Sequence, residues 1–252
     1  MKKLLCLLAL ISVTSFANPI DDNCSHHTTL GAPISSIKID TQYICHDNYA
    51  VHYRYDTKTA EYVVEHLDKS DITGSIKRTN NFSSDPKVDD DKEAHISDYK
   101  GYPYDRGHLS SASNNRTNKE QMSESFYLTN IIPQDPGHNR GIWSRLETGV
   151  RDTALAGNDI YIISGTIYDT GYKTIGNNVG VPTRIWKIIY NVTTGQTIAF
   201  LFPNSKLSTR DLFKYVVTVN EVEAITGINV FPKLDESYES TVDITKWKEI
   251  LK

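Results

Sequence analysis

Hydrophobic and polar positions alternate in the first half of the chain and merge into apolar runs in the second. Tyr49-Ala50-Val51-His52-Tyr53-Arg54-Tyr55 has period two, and Glu61-Tyr62-Val63-Val64-Glu65-His66-Leu67 follows across the turn-like Asp56-Thr57-Lys58-Thr59. That pattern predicts a β-hairpin. Ile160 to Ile167 reads as a buried strand, and Arg184 to Tyr190 pairs with Thr197 to Phe202 across Thr193-Thr194-Gly195. Leu212 to Val219 predicts a further strand, and Asn220 is placed to cap a short helix over 221–226 that Gly227 stops. Residues 18–42, polar with Pro19, Gly31 and Pro33, predict an extended arm, with strands beginning after Cys45. Residues 68–98 are charged and turn-rich; their Asp89-Asp90-Asp91 run lacks the glycine and closing glutamate of a calcium loop and reads as solvated loop. No repeat or linker divides the chain. The fold class expected is α+β, a central antiparallel β-sheet flanked by helices.

One helix carries candidate chemistry. After Gly141, the residues Ile142, Trp143, Leu146, Val150 and Leu155 recur at helical spacing with no interrupting proline, which places Asn139 at or near the N-cap. Asn139, Trp143, Glu147 and Arg151 then follow in steps of four, with roughly 12 Å of rise between Asn139 and Glu147. A helix N-terminus favours phosphate, and an asparagine carbonyl there can hold a hard cation that keeps most of its waters. Upstream, Tyr104-Asp105-Arg106-Gly107-His108-Leu109 sets a carboxylate, a permanent cation and an imidazole side by side. A second polar cluster, Phe126 to Gln134 running into His138 to Glu147, points to a shared site.

Composition changes the picture at the N-terminus. Met1-Lys2-Lys3 followed by the apolar stretch from Leu4 to Phe16, with small residues at Ser15 and Ala17, has the form of a signal peptide over 1–17 cleaved before Asn18. The apolar stretch is too short to span a bilayer, so export to the periplasm or medium without a membrane anchor is expected. Losing Lys2 and Lys3 takes the formal charge from −4 to −6, which argues against a broad basic surface but allows a local basic cleft. Cys24 and Cys45 then remain, and an isolated pair in an oxidising compartment reads as a disulfide tying the arm to the first strand.

Several blocks occur together in the order of one family. Asp105-Arg106-Gly107-His108, then Tyr127-Leu128-Thr129-Asn130-Ile131-Ile132-Pro133-Gln134, then Asn139-Arg140-Gly141-Ile142-Trp143-Ser144-Arg145-Leu146-Glu147 resemble the DNA/RNA non-specific endonucleases, the ββα-metal (His-Me finger) nucleases. The similarity runs from about Tyr49 to Phe231 and includes Val181-Pro182-Thr183. It implies a single domain over 18–252, with a core of about 46–232 and a ββα-metal motif.

The resemblance also implies roles. His108 would be the general base, Asn139 the direct metal ligand and Glu147 a carboxylate holding metal-bound water. Arg106 and Asn130 would support the phosphate and the histidine. Arg151 would face the substrate backbone, and Arg78 corresponds to a family arginine upstream of the signature. The implied cofactor is Mg²⁺, with Mn²⁺ or another divalent cation in its place, and the partners are DNA and RNA cut to 5′-phosphate products. Arg140 departs from the family, which usually has Gln after the metal-binding Asn; it puts a cation beside the site. An ordinary imidazole at His108 predicts that activity falls below about pH 6.5.

Two other classes compete with that reading. A secreted glycoside or other hydrolase with paired carboxylates would depend on Glu147 and Asp105 and dispense with His108. A non-catalytic nucleic-acid-binding protein would keep the arginines and lose the metal chemistry. His108 and Asn139 together favour the nuclease.

Overall fold

The computed structural model describes residues 24–235, 237–240 and 242–251. The predicted signal peptide lies outside them. Among the described residues, no helix is long and apolar enough to cross a membrane.

The described residues form thirteen strands in chain order: β1 (Ile34–Ser35), β2 (Thr41–Cys45), β3 (Ala50–Arg54), β4 (Thr59–Leu67), β5 (Asp105–His108), β6 (Ile131–Gln134), β7 (Ile160–Ile167), β8 (Thr174–Ile175), β9 (Val179–Gly180), β10 (Arg184–Asn191), β11 (Gln196–Pro203), β12 (Val216–Val217) and β13 (Ile228–Asn229). Seven make one antiparallel sheet in the order β12-β11-β10-β7-β4-β3-β2. Both predicted hairpins are present, β3–β4 and β10–β11. The arm contributes more than expected, because Thr41–Cys45 pairs with β3 as the sheet edge. The expected strand over Leu212–Val219 is mostly a 3₁₀ turn, Thr209–Tyr215, with only Val216–Val217 pairing on β11.

Among the described residues, six helices accompany the sheet: α1 (Lys69–Ile72), α2 (Lys119–Glu124), α3 (Ser144–Leu155), α4 (Val219–Thr226), α5 (Ser237–Ser240) and α6 (Ile244–Ile250). The cap of α4 is Thr218, not Asn220: its hydroxyl accepts from the Glu221 N–H, and the Glu221 carboxylate accepts from the Thr218 N–H. Gly227 ends that helix at φ +70°, a conformation open to glycine and costly for other residues.

Strand period two divides the core. Ile160 and Ile162 on β7 and Ile185 and Ile189 on β10 face the layer holding Leu146, Val150 and Ala154 of α3. Tyr161, Ile163, Trp186 and Ile188 face the opposite layer with Val219 and Val222 of α4. The α3 face has a polar notch. Ser164 lies opposite Lys187 in the β7–β10 register, and Glu65 occupies the same parity on β4 as Val63 and Leu67. All three side chains are buried. They lie beneath the segment that follows His108, since Glu65 accepts from the Ser110 hydroxyl (2.9 Å) and the Asn114 amide (3.0 Å), and Lys187 Nζ approaches the Leu109 carbonyl (3.5 Å).

Cys24 and Cys45 are bonded, with Cα atoms 5.6 Å apart, fastening the arm to β2. Replacing both with alanine should cost about 3 kcal/mol under the loop-entropy model. Urea melts of wild type and variant check this, and coincident midpoints would show that the bridge contributes nothing.

Acid should destabilise the fold. Burial, with His26 adding repulsion, pushes the His27 imidazole down to about 4; burial does the same for His138, and takes His108 to about 3. Below pH 6.5 the unfolded chain therefore binds protons that these three folded-state rings refuse, so their contribution lowers stability from 6.5 toward 4 and adds no pH dependence above. Each buried histidine would contribute roughly 3 kcal/mol of that loss at pH 4. His46, raised against burial by Asp85 and Glu124, and Glu93, pushed up by burial to about 8, act in the opposite sense and offset part of that loss. A melting temperature unchanged between pH 7 and pH 5 would refute this account.

Candidate active site

The hairpin β5–β6 pairs Asp105 with Gln134 and His108 with Ile131. Gly107 is required by close approach, since a Cβ there would lie 1.9 Å from Gln134 Oε1 and 2.7 Å from Gln134 Cβ. A wide helical turn, His138–Trp143, then leads into α3, and Gly141 departs from helical values at φ −105°, ψ −106°. Together these elements build a ββα motif. Asn139 consequently sits in the wide turn; the residue at the N-cap of α3 is Trp143, whose indole Nε1 donates to the His108 carbonyl at 3.2 Å.

A cavity of about 330 Å³ opens over this motif, lined by Arg78, Arg106, His108, Ser111, Ser113, Asn139, Arg140, Ser144, Glu147 and Arg151. Segments far apart in sequence thus bring every expected site residue except Asn130 to one space. Asn130 is fully buried elsewhere. Its Oδ1 accepts from the Ser110 N–H (2.8 Å) and its Nδ2 donates to the carbonyls of Ser110 (2.8 Å) and Ser125 (2.9 Å), so it straps the chain just past His108.

His108 is 7% exposed and packs edge-on against Phe126 at 4.9 Å. Burial first, then the Arg78 and Arg106 guanidiniums, hold it neutral well below the ordinary imidazole range, lower than the transition near pH 6.5 expected of an unperturbed ring. Its Nε2 is buried without a hydrogen-bond partner. Both arginines rest on ring faces, Arg106 4.1 Å over Phe82 and Arg78 4.9 Å over Phe126, which fixes their charge at the cavity wall.

Asp105 organises the opposite wall. One oxygen accepts from Asn139 Nδ2 (2.9 Å), and both accept from the fork of Arg140 (2.7 and 2.5 Å). These partners hold the carboxyl below its ordinary range against the upward push of burial. Arg140, its side chain 73% exposed, is therefore tied to Asp105 and not free in the cleft. With the Asn139 nitrogen committed, the carbonyl oxygen is the amide atom left for a cation.

Glu147 lines the cavity half-buried, and burial pushes its carboxyl up while Lys187 and Arg151 pull it down. One neutral oxygen and one carboxylate beside room for water suit a hard divalent cation held largely through its waters. Among the described residues, no three His, Cys, Asp or Glu side chains group into a denser metal centre. The guanidiniums of Arg78, Arg106 and Arg151 can bind a phosphate, and the neutral imidazole beside them can accept a proton.

Sequence reading passed over Ser111, Ser113 and Ser144, which carry no pattern, and the anchoring role of Asp105. Lys187 had a signal that was not used, a lysine inside the apolar run from Ile185 to Ile189.

Residues 26–237 match the DNA/RNA non-specific endonuclease family. The chain is 32% identical over 216 residues to the human mitochondrial nuclease EXOG, covering 78% of this chain and 59% of that protein. It thus spans about three-fifths of the length of these mitochondrial relatives. A nuclease of Nostoc sp. is 30% identical over 244 residues, covering 89% of this chain and 88% of the relative. The fold is similar to a chain in the crystal structure of the EndoG/EndoGI complex, with a TM-score of 0.79 at 24% identity, over 86% of this chain and 95% of the other. The matched span takes in both strands of the hairpin and all of α3, and the chain belongs to the DNA/RNA non-specific endonuclease family.

Proposed function

We propose that this protein is a divalent-metal-dependent endonuclease hydrolysing the phosphodiester bonds of DNA and RNA to 5′-phosphate products. The observation that carries the reading is a buried, neutral His108 in one cavity with four arginines, Asn139 and Glu147. His108 Nε2 has no solvent contact, so Nδ1 is the nitrogen that takes a proton from water. As that proton leaves, the water oxygen bonds to phosphorus, the P–O3′ bond breaks, and the leaving oxygen gains a proton from solvent. Arg106, Arg78 and Arg151 hold the phosphate and offset the charge that gathers on it. Asn130 keeps His108 in place through the Ser110 backbone. Asp105 orients Asn139 and occupies Arg140.

Asn139, with Glu147 through water, would hold Mg²⁺ or Mn²⁺; when bound, the cation neutralises charge on the phosphate and the leaving oxygen. Because phosphate is what the cavity addresses, cleavage should depend little on sequence or on the sugar. The signal-like segment 1–17 and the Cys24–Cys45 bond support work outside the cytoplasm, in periplasm or medium, by the single domain 18–252. A plasmid-nicking assay with Mg²⁺ and with EDTA tests the function. Nicking that needs the metal is expected, and nicking that survives EDTA, or none with any divalent cation, overturns it.

A further inference from the structure

A nucleotide brings a base as well as a phosphate, and the arginine-lined cavity serves only the phosphate. No Tyr, Phe or Trp is among its lining residues. A second cavity of about 350 Å³ lies beside it, and Arg106 belongs to both walls. Its other lining residues are Ile96, Ser97, Tyr99, Lys100 and Tyr104. This space joins two phenol rings and an aliphatic side chain to a second cation, a set that suits a flat, partly apolar ring carried on an anionic backbone.

The wall is built before any ligand arrives. The Tyr99 hydroxyl donates to the Ile131 carbonyl of β6 at 3.3 Å. Asp98, next to it, accepts from the N–H groups of His95 (2.7 Å) and Asn177 (2.9 Å), pinning the turn Ile96–Tyr99 to the 176–177 loop. Tyr99 and Tyr104 pack on Leu128, Ile131 and Val179. Ile96 stays 46% exposed at the mouth of the cavity.

We infer that this cavity is a nucleobase-binding subsite, taking the base of a nucleotide that flanks the scissile phosphate while Arg106 holds the phosphate between the two cavities. The inference rests on the endonuclease reading and deepens it. Ring faces accept any base, so such a subsite strengthens binding without imposing sequence. Lys100 is placed for an adjacent phosphate.

The test uses an oligonucleotide protected by non-hydrolysable linkages except at one diester, with a natural or an abasic nucleotide on either side of it. Loss of the base on one side should lower the wild-type kcat/KM on the order of tenfold, mainly through KM. Tyr104→Leu, which keeps apolar bulk without the ring, and Ile96→Glu, at an exposed position, should cut both substrates alike. Equal cutting of natural and abasic substrates by the wild type, or full discrimination kept by both variants, overturns the subsite. A wild type that cuts neither oligonucleotide would instead sink the endonuclease reading. NMR titration then decides the subsite by itself. Thymidine 3′,5′-bisphosphate should shift the Tyr104 and Lys100 amides and the abasic sugar bisphosphate should not; equal shifts, or none, overturn it.

Discussion

An Asn139→Ala protein should be nearly inactive at every Mg²⁺ concentration, whereas Glu147→Ala should lose roughly 10–100-fold and recover part of that with excess metal. The difference follows from the two side chains' surroundings. Asn139 offers the cation a carbonyl oxygen whose direction is set by the Asp105 bond to its nitrogen, while the neighbouring Asp105 carboxylate is engaged by the Arg140 fork. Glu147 would act through water, and a water network can reorganise around a missing carboxylate. Direct Mn²⁺ binding, followed by electron paramagnetic resonance, separates metal loss from loss of chemistry: Asn139→Ala should not bind at concentrations where Glu147→Ala still does. In the paired-carboxylate hydrolase alternative, Glu147→Ala would be the more damaging change and EDTA would leave the wild type active. An Asn139→Ala protein with ordinary Mg²⁺ dependence would overturn the assigned ligand.

The sequence was most informative where one physical signal dominated. The run Ile160–Ile167, opening on four apolar residues, reads as a strand buried on both faces, and it is central in the sheet. Gly227 stopped α4 because the chain there needs φ +70°. Motif order brought Arg106, His108, Asn139 and Glu147 together, although spacing alone put Asn139 on the wrong part of its helix. The break at Gly141 is a backbone event with no trace in periodicity. Asn130 shares its motif with site residues yet works through backbone bonds, which no side-chain pattern reports. The Thr209–Tyr215 turn replaced a predicted strand because only Val216 and Val217 find partners on β11.

The notch of Glu65, Ser164 and Lys187 is the part hardest to foresee. Buried charge is costly, and here it is met partly by hydrogen bonds: Lys187 donates to the Ser164 hydroxyl at 2.6 Å and lies 4.5 Å over the Trp143 ring. Burial depresses the Lys187 amine while Glu65 and Glu147 support it. The cost is incurred directly under the segment from Leu109 to Asn114 and beside Glu147, so the sheet supplies charge to the site as well as support.

The largest single effect expected on chemistry with metal binding intact is at His108. His108→Ala should lower the cleavage rate by about 10²–10⁴-fold, the usual consequence of removing a positioned general base. Duplex binding should change little, because Arg78, Arg106 and Arg151 remain. Added imidazole should restore part of the activity if the space left against Phe126 admits it. The histidine's titration gives an independent check. With its pKa pushed down to about 3, the free protein's His108 ring should show no protonation step by NMR between pH 5 and pH 8. A bound phosphate analogue, offsetting the two arginines that help depress it, should raise that pKa and with it the basicity available for catalysis. A ring titrating near 6.5 in the free protein would refute the electrostatic account, and near-native nicking by His108→Ala would refute the base itself.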